Sequence, residues 1–249
     1  MFDLTGRVAL ITGGNGGLGL GMAKGLQQAG ARVAIAGRNR AKAESALAEL
    51  GPEAIFLETD LADQATCHRL VDECARQLGG LHILINNAGI AVRKAPQDFT
   101  EAEWRSVMAV NVDAAFYASQ AAHKHMKSAG GGKVINIGSV MSVTANPYAA
   151  PYATSKAAIM NMSKALAVAW ASDNIQVNAI LPGWIDSELT VSARAQVPGL
   201  HDAILARVPA GRWGSPRDLA GTAVFLASAA SDFVTGASLI VDGGYLARA

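Results

Sequence analysis

Val8-Ala9-Leu10-Ile11 runs directly into Thr12-Gly13-Gly14-Asn15-Gly16-Gly17-Leu18-Gly19, and a helix-length stretch to Ala29 follows. An apolar run, a glycine-rich turn and a helix make a cradle for phosphate. Side chains without Cβ let backbone N–H groups approach an anion, and the helix dipole turns its positive end towards that anion. Two glycines would describe many tight turns. Gly13, Gly17 and Gly19 at G-x3-G-x-G spacing directly after a first strand are more selective. No Lys-Ser/Thr follows Gly19, so this is not a Walker loop. Gly14 and Gly16 are extra glycines and predict a looser turn.

Beyond this unit the pattern repeats. Short apolar runs at Val8 to Ile11, Arg32 to Ala36, Ala54 to Glu58, Ile83 to Ile85, Lys133 to Ile137, Ile175 to Leu181 and Ser238 to Val241 read as strands buried on both faces. Helix-length segments lie between them at Leu18 to Ala29, Arg40 to Leu50, Gln64 to Leu78, Glu101 to Lys127, Tyr152 to Ala171 and Pro216 to Ala227. Asn39, Asp63 and Thr100 stand as caps, and Gly30, Gly51 and Gly79 as stops. Alternating β and α elements predict one α/β domain over 1–249, a doubly wound parallel sheet with helices on both faces. Residues 186–214 interrupt the rhythm after the sixth strand. At that place in an α/β fold they predict a lid over the ligand crevice, with a plain surface excursion as the alternative.

Composition agrees with one sizeable core. The chain has 249 residues, 51% of them apolar and 16% charged, and a domain of that size buries roughly 70–75% of its unfolded surface. Twenty-one basic against 20 acidic residues leave a net charge of +1, which offers no general attraction to nucleic acid or an anionic membrane. Cys67 and Cys74 are seven apart on a predicted helix, about 10 Å along its axis and beyond disulfide reach, and free thiols fit a reducing cytoplasm. The five histidines show no metal-ligand spacing, so no catalytic metal is expected. No signal peptide is expected at the N-terminus, and the polar residues and prolines within 134–155 argue against a membrane span there.

About twenty residues beyond the glycines, the second strand ends in Gly37-Arg38-Asn39. An acidic residue here would grip both ribose hydroxyls of NAD and repel a 2′-phosphate. Gly37 followed by Arg38 favours NADP over NAD, because a guanidinium pairs with a phosphate through two hydrogen bonds. As a solvated loop arginine, Arg38 would leave NAD acceptable. Asp60, after the third strand, either accepts from the adenine amino group or plays an N-cap-like turn role.

Downstream, Asn86-Asn87-Ala88-Gly89 follows the fourth strand, Ser139 the fifth, and Tyr152-Ala153-Thr154-Ser155-Lys156 opens a helix. Tyr152 and Lys156, at i and i+4, share a helical face. A free phenol titrates at about 10, so acid–base work near neutrality needs its anion stabilised by about 4 kcal/mol. One ammonium about 4 Å away in an effective dielectric of about 20 supplies that much, and an oxidised nicotinamide would add positive charge. Alone, Tyr-x3-Lys commonly marks a helix surface. Its weight comes from following Ser139 and the glycine turn.

With these motifs in this order, and with Asn111 and Pro182-Gly183, the sequence resembles the short-chain dehydrogenase/reductase family over essentially its whole length. The resemblance implies a seven-stranded parallel Rossmann-type sheet. It also implies a catalytic set of Asn111, Ser139, Tyr152 and Lys156. Tyr152 would be the general acid/base, Ser139 would polarise the substrate oxygen, Lys156 would bind the nicotinamide ribose and lower the phenol pKa, and Asn111 would hold a relay water. The implied cofactor surface is Gly13, Asn15, Gly17, Leu18, Gly19, Arg38, Asp60, Leu61, Asn87, Gly89, Tyr152, Lys156, Pro182, Gly183, Ile185 and Ser187. Ser187 stands where the family more often has threonine and keeps the hydroxyl.

Within the family the chain is similar to bacterial sugar-acid dehydrogenases of the 2-deoxy-gluconate, 2-keto-3-deoxygluconate and gluconate type. Arg93-Lys94, Trp104, Pro182-Gly183-Trp184, Ala210 to Gly214 and Asp242 to Tyr245 carry this likeness. Arg93 and Lys94 either neutralise a substrate carboxylate or are solvated loop charges. Met141, Asn146, Tyr148 and Trp184 are expected pocket residues, although packing alone would also explain Trp184. The expected partner is a small hydroxyl or carbonyl compound. Carrier-linked 3-oxoacyl reduction and a catalytically silent dinucleotide sensor are the alternatives. Val234 to Tyr245, apolar and glycine-punctuated, predicts a homotetramer by the same resemblance.

Overall fold

The computed structural model describes residues 1–61 and 63–248. The chain runs β1 (Val8–Thr12), α1 (Gly17–Gln28), β2 (Arg32–Gly37), α2 (Arg40–Leu50), β3 (Ile55–Glu58), α3 (Gln64–Leu78) and β4 (Ile83–Asn86). It continues through α4 (Glu101–Met108), α5 (Ala114–Ser128), β5 (Gly132–Ile137), α6 (Ala150–Trp170), β6 (Ile175–Pro182), α7 (Glu188–Gln196), α8 (Leu200–Arg207), α9 (Ala220–Ala227) and β7 (Ser238–Val241). All strand pairs are parallel, in the order β3-β2-β1-β4-β5-β6-β7.

Alternation along the strands divides the core. Val8 and Leu10 pack with α3, α5 and α6 through Leu70, Val71, Ala118, Ala122 and Leu166. Ala9 and Ile11 turn to the other face, against Met22 and Leu26 of α1 and Ala223 and Leu226 of α9. Cys67 and Cys74 are free and buried on α3, and burial pushes their thiols up to about 11 and about 12. The order reverses between β1 and β4, so their carboxyl ends diverge into a crevice, where α/β sheets bind ligands. Thr12 fastens this point: its Oγ1 accepts the N–H groups of Asn87 at 3.0 Å and Ala88 at 3.1 Å.

Two elements differ from expectation. The single helix predicted over Glu101 to Lys127 is α4 and α5 joined by a π-helical turn at Ala109–Asp113. The wider turn buries Asn111, whose amide bonds to neighbouring segments in place of solvent. The helix predicted from Pro216 begins as a 3₁₀ turn, Pro216–Leu219, before α9. Residues 186–214 contain α7 and α8 around a small cluster of Ile204, Val208 and Trp213. A bridge between Ile185 and Gly214 closes the stem of this segment. No helix among the described residues is long and apolar enough to cross a membrane.

Candidate active site

The glycine turn is tight. Gly13 has φ +63°, and its N–H donates to Ala36 O at 2.8 Å. A Cβ on Gly19 would lie 2.3 Å from the Gly13 carbonyl. Gly14 is not the loose position expected, since its Cβ would meet Ile35 at 2.7 Å; β2 packs directly against it. Asn87 ties the turn to β4 by donating from Nδ2 to Thr12 O and Gly13 O, both at 3.0 Å. α1, like α5, α6, α8 and α9, has no side-chain cap, and its first residues, Gly17 and Leu18, line a cavity. Its first N–H groups are left for a ligand, which fits the pyrophosphate of a dinucleotide.

Three neighbouring cavities follow the carboxyl edge of the sheet. One, of about 300 Å³, collects Gly13, Asn15, Gly17, Leu18, Asn87, Gly89, Tyr152, Lys156, Pro182, Gly183, Ile185 and Ser187. A second, also about 300 Å³, shares Gly13, Asn15 and Gly89 and adds Arg38, Asp60 and Leu61. Every cofactor residue expected from the sequence except Gly19 therefore lines one or both, and Gly19 sits behind the turn. Asp60 faces Arg38 across a loose 3.9 Å. The third cavity, of about 200 Å³, shares Ser139 and Tyr152 with the first and contains Arg93, Met141, Asn146, Tyr148 and Trp184. Arg93 has no carboxylate partner among the described residues, and its Nη2 lies 3.4 Å from Leu189 O. Lys94 does not line this cavity. Its ammonium bonds to Glu103.

The reactive side chains are held from below. Lys156 Nζ donates to Ile137 O at 2.7 Å, and Ser142 Oγ donates to Lys156 O at 2.7 Å. Ser139 Oγ accepts the Met141 N–H at 3.1 Å, leaving its own proton for another acceptor. Asn111 accepts the Ile90 N–H at 2.8 Å and donates to Ile90 O at 3.0 Å and Ser155 Oγ at 2.9 Å. It lines none of the three cavities, yet a Cβ on Gly89 would lie 3.3 Å from its Oδ1 and 3.5 Å from Lys156 Nζ. The missing methyl leaves both polar ends facing one small space. Beneath them, Asn86 turns into the core and donates to Asn136 Oδ1 at 2.8 Å and Ser119 Oγ at 2.9 Å.

Tyr152 is pulled in both directions. Burial raises the Tyr152 pKa above the ordinary phenol value, while a hydrogen bond from Ser139 and the charge of Arg93 pull it down. Lys156, its Nζ 5.6 Å from the centre of the Tyr152 ring, is itself pushed down to about 8 by burial. The influences that pull the phenol down come from Ser139 and Arg93, and Lys156, from which that effect was expected, is not among them.

Reading along the chain missed Leu189 and Thr190, which line both the first and the third cavity. Ser187 and Thr190, three apart at the start of α7, were the available signal: Ser187 Oγ accepts the Thr190 N–H in a capping box. Lys42 and Glu188 were missed as well.

Residues 13–246 match the protein-family model described as enoyl-(acyl carrier protein) reductase. The chain is 40% identical to gluconate 5-dehydrogenase of Gluconobacter oxydans, covering 98% of this chain and 96% of that protein. It is 43% identical to 2-dehydro-3-deoxy-D-gluconate 5-dehydrogenase of Dickeya dadantii, covering 99% and 98%. A crystal structure of a gluconate 5-dehydrogenase from Burkholderia cenocepacia in complex with NADP and tartrate superposes with a TM-score of 0.93. That protein is 42% identical, and the match covers 100% of this chain and 98% of that one.

Proposed function

The chain belongs to the short-chain dehydrogenase/reductase family, and we propose that it is an NAD(P)-dependent oxidoreductase interconverting a secondary alcohol and a ketone on a sugar acid. The observation carrying this reading is that Tyr152 and Ser139 belong to two cavities at once. One also contains Lys156 and the glycine turn, the other the carboxylate-free Arg93. An alcohol carbon at that junction meets the cofactor on one side and a guanidinium suited to a carboxylate on the other. All three relatives above are sugar-acid dehydrogenases by name, and the Burkholderia protein holds tartrate, a hydroxy diacid.

A nicotinamide held in the first cavity would supply or accept the hydride. In reduction, the raised pKa keeps Tyr152 protonated, so it can hand its proton to the oxygen as negative charge develops there. Ser139, its lone pair occupied by Met141, donates to the same oxygen. Lys156 and Asn111, facing the space beside Gly89, pass a replacement proton inward. In oxidation the same groups run in reverse. Gly13, Asn15, Gly17 and Leu18 would hold the pyrophosphate side, Asn87, Gly89 and Lys156 the nicotinamide ribose, Pro182, Gly183, Ile185 and Ser187 the carboxamide end, and Arg38, Asp60 and Leu61 the adenosine. Gly19 keeps the turn closed.

Arg38 and the absence of an acidic residue at 37 favour NADP over NAD, and the Burkholderia relative is described with NADP. Residues 186–214 act as the substrate lid, supported by the tied Ile185–Gly214 stem and by Leu189 and Thr190 on the cavities. The enzyme works as a homotetramer in the cytoplasm. The exposed Ile240 on edge strand β7 and Phe233 just before it in sequence support self-association, and two unpaired thiols suit a reducing compartment.

The test is absorbance at 340 nm with NADP and NAD against aldonates, 2-keto-aldonates, neutral polyols, simple ketones and acyl thioesters. Turnover is expected on the sugar acids and greatest with NADP. Turnover confined to acyl thioesters would move the assignment to the carrier-linked reductases, and dinucleotide binding without turnover on any compound would leave a silent sensor.

A further inference from the structure

The cavity beside Arg38 contains two cations and two carboxylates, and each cation already has a partner. Arg38 faces Asp60 at 3.9 Å. Lys42 Nζ donates to Glu188, joining the first turn of α2 to the first turn of α7 across the mouth of the cleft. Lys42 and Glu188 line both this cavity and the one containing Tyr152. Both side chains are solvent-accessible, 45% and 78% exposed, so neither is locked into the pair by packing.

We propose that Lys42 is a specificity-determining residue that reads the 2′-phosphate of the dinucleotide together with Arg38, and that Glu188 is the partner it gives up to do so. The proposal rests on the reading that this chain takes NADP. A phosphate monoester carries nearly two negative charges and accepts charge-assisted hydrogen bonds, whereas an exposed pair of single charges is weak. The phosphate therefore draws the ammonium away from Glu188. Arg38 is held loosely enough by Asp60 to turn towards the same anion. A cofactor without the phosphate leaves the tie between α2 and α7 intact. The same ammonium thus serves cofactor recognition and the anchoring of α7.

Calorimetric titration of the full-length protein with 2′,5′-ADP and 5′-AMP separates these roles without turnover. Wild type is expected to prefer 2′,5′-ADP. Lys42→Met should cut that preference roughly tenfold while leaving 5′-AMP affinity unchanged. Glu188→Gln should raise affinity for 2′,5′-ADP alone, because the lysine is released. If Lys42→Met weakens both ligands equally or neither, Lys42 does not read the phosphate. Were wild type indifferent to the phosphate, the NADP reading itself would fall and the proposal with it. A clear wild-type preference that Lys42→Met leaves intact overturns only the role of Lys42.

Discussion

At the chemical end of the cleft, Lys156 and Asn111 bond to backbone groups of other segments, Ser139 accepts the N–H of Met141 within its own turn, and all three are buried. At the adenosine end, Arg38, Lys42, Asp60 and Glu188 are mostly exposed, and their ionic partners are one another. The first arrangement is over-determined, because moving one side chain breaks contacts with several elements. The second is a set of exchangeable pairs. On the proposed function, reaction chemistry would be fixed by buried geometry, while cofactor choice would rest on surface charges that one or two substitutions can redirect.

Tyr152→Phe should break the chemical end alone. General acid–base contributions run to about 10²–10⁴-fold, so kcat should fall by that order while dinucleotide affinity, read by fluorescence titration, stays near wild type. A kcat within a few-fold of wild type would remove Tyr152 from its proposed role. Arg93→Gln probes the border between the two cavities. It should lower kcat/KM for an aldonate about 10- to 100-fold, as for a lost charge-assisted hydrogen bond, and spare a neutral polyol. It also has a pH signature. The phenolate is the reactive form in alcohol oxidation, so the rate rises with pH as Tyr152 ionises, from a pKa already above the free phenol. Arg93 is one of the two influences pulling that pKa down. Its removal should shift the alkaline limb to higher pH, and a limb that stays in place means Arg93 does not reach the phenol. Lys156 loses its charge over a lower range, as pH rises through about 8.

Arg38→Gln tests the other end. It should reduce the NADP-over-NAD ratio of kcat/KM about tenfold and leave kcat unchanged. Gly37→Asp is a less direct test, since a Cβ there would meet the Asn15 amide at 2.9 Å, and Asn15 belongs to the turn and bonds to Asn39 O at 3.3 Å. An unchanged ratio in Arg38→Gln would mean that another residue selects the cofactor.

What the sequence disclosed follows the range of the interactions involved. α2 and α3 begin and end where Asn39, Gly51, Asp63 and Gly79 predict, because caps and stops act within one turn: Asn39 Oδ1 accepts the Lys42 N–H and Asp63 Oδ1 that of Thr66. The Tyr152–Lys156 face was equally local. The π turn was hidden because Glu101 to Lys127 contains neither glycine nor proline. Asn111's bonds to Ile90 and Ser155, far away in sequence, accompany the widening. Arg93 and Lys94 are neighbours with opposite fates, decided by where Glu103 lies. The Lys42–Glu188 pair spans 146 positions and has no local signal.

The smallest expected effect lies within the turn itself. Gly16 caps α1 in extended backbone, φ 175° and ψ 175°, which any residue adopts, and a Cβ there meets nothing within 4 Å. At Gly19, three residues on, a Cβ would strike the Gly13 carbonyl. Gly16→Ala should therefore change stability by less than about 0.5 kcal/mol, a Tm shift of about 2 °C or less. Gly16 also lines the cavity assigned to the cofactor, so the added methyl points into space a pyrophosphate would use, and dinucleotide affinity should fall a few-fold at unchanged Tm. Loss of both would make Gly16 a structural residue like Gly19. Loss of neither would mean that the phosphates do not pass over this part of the turn, and the uncapped start of α1 would need another explanation.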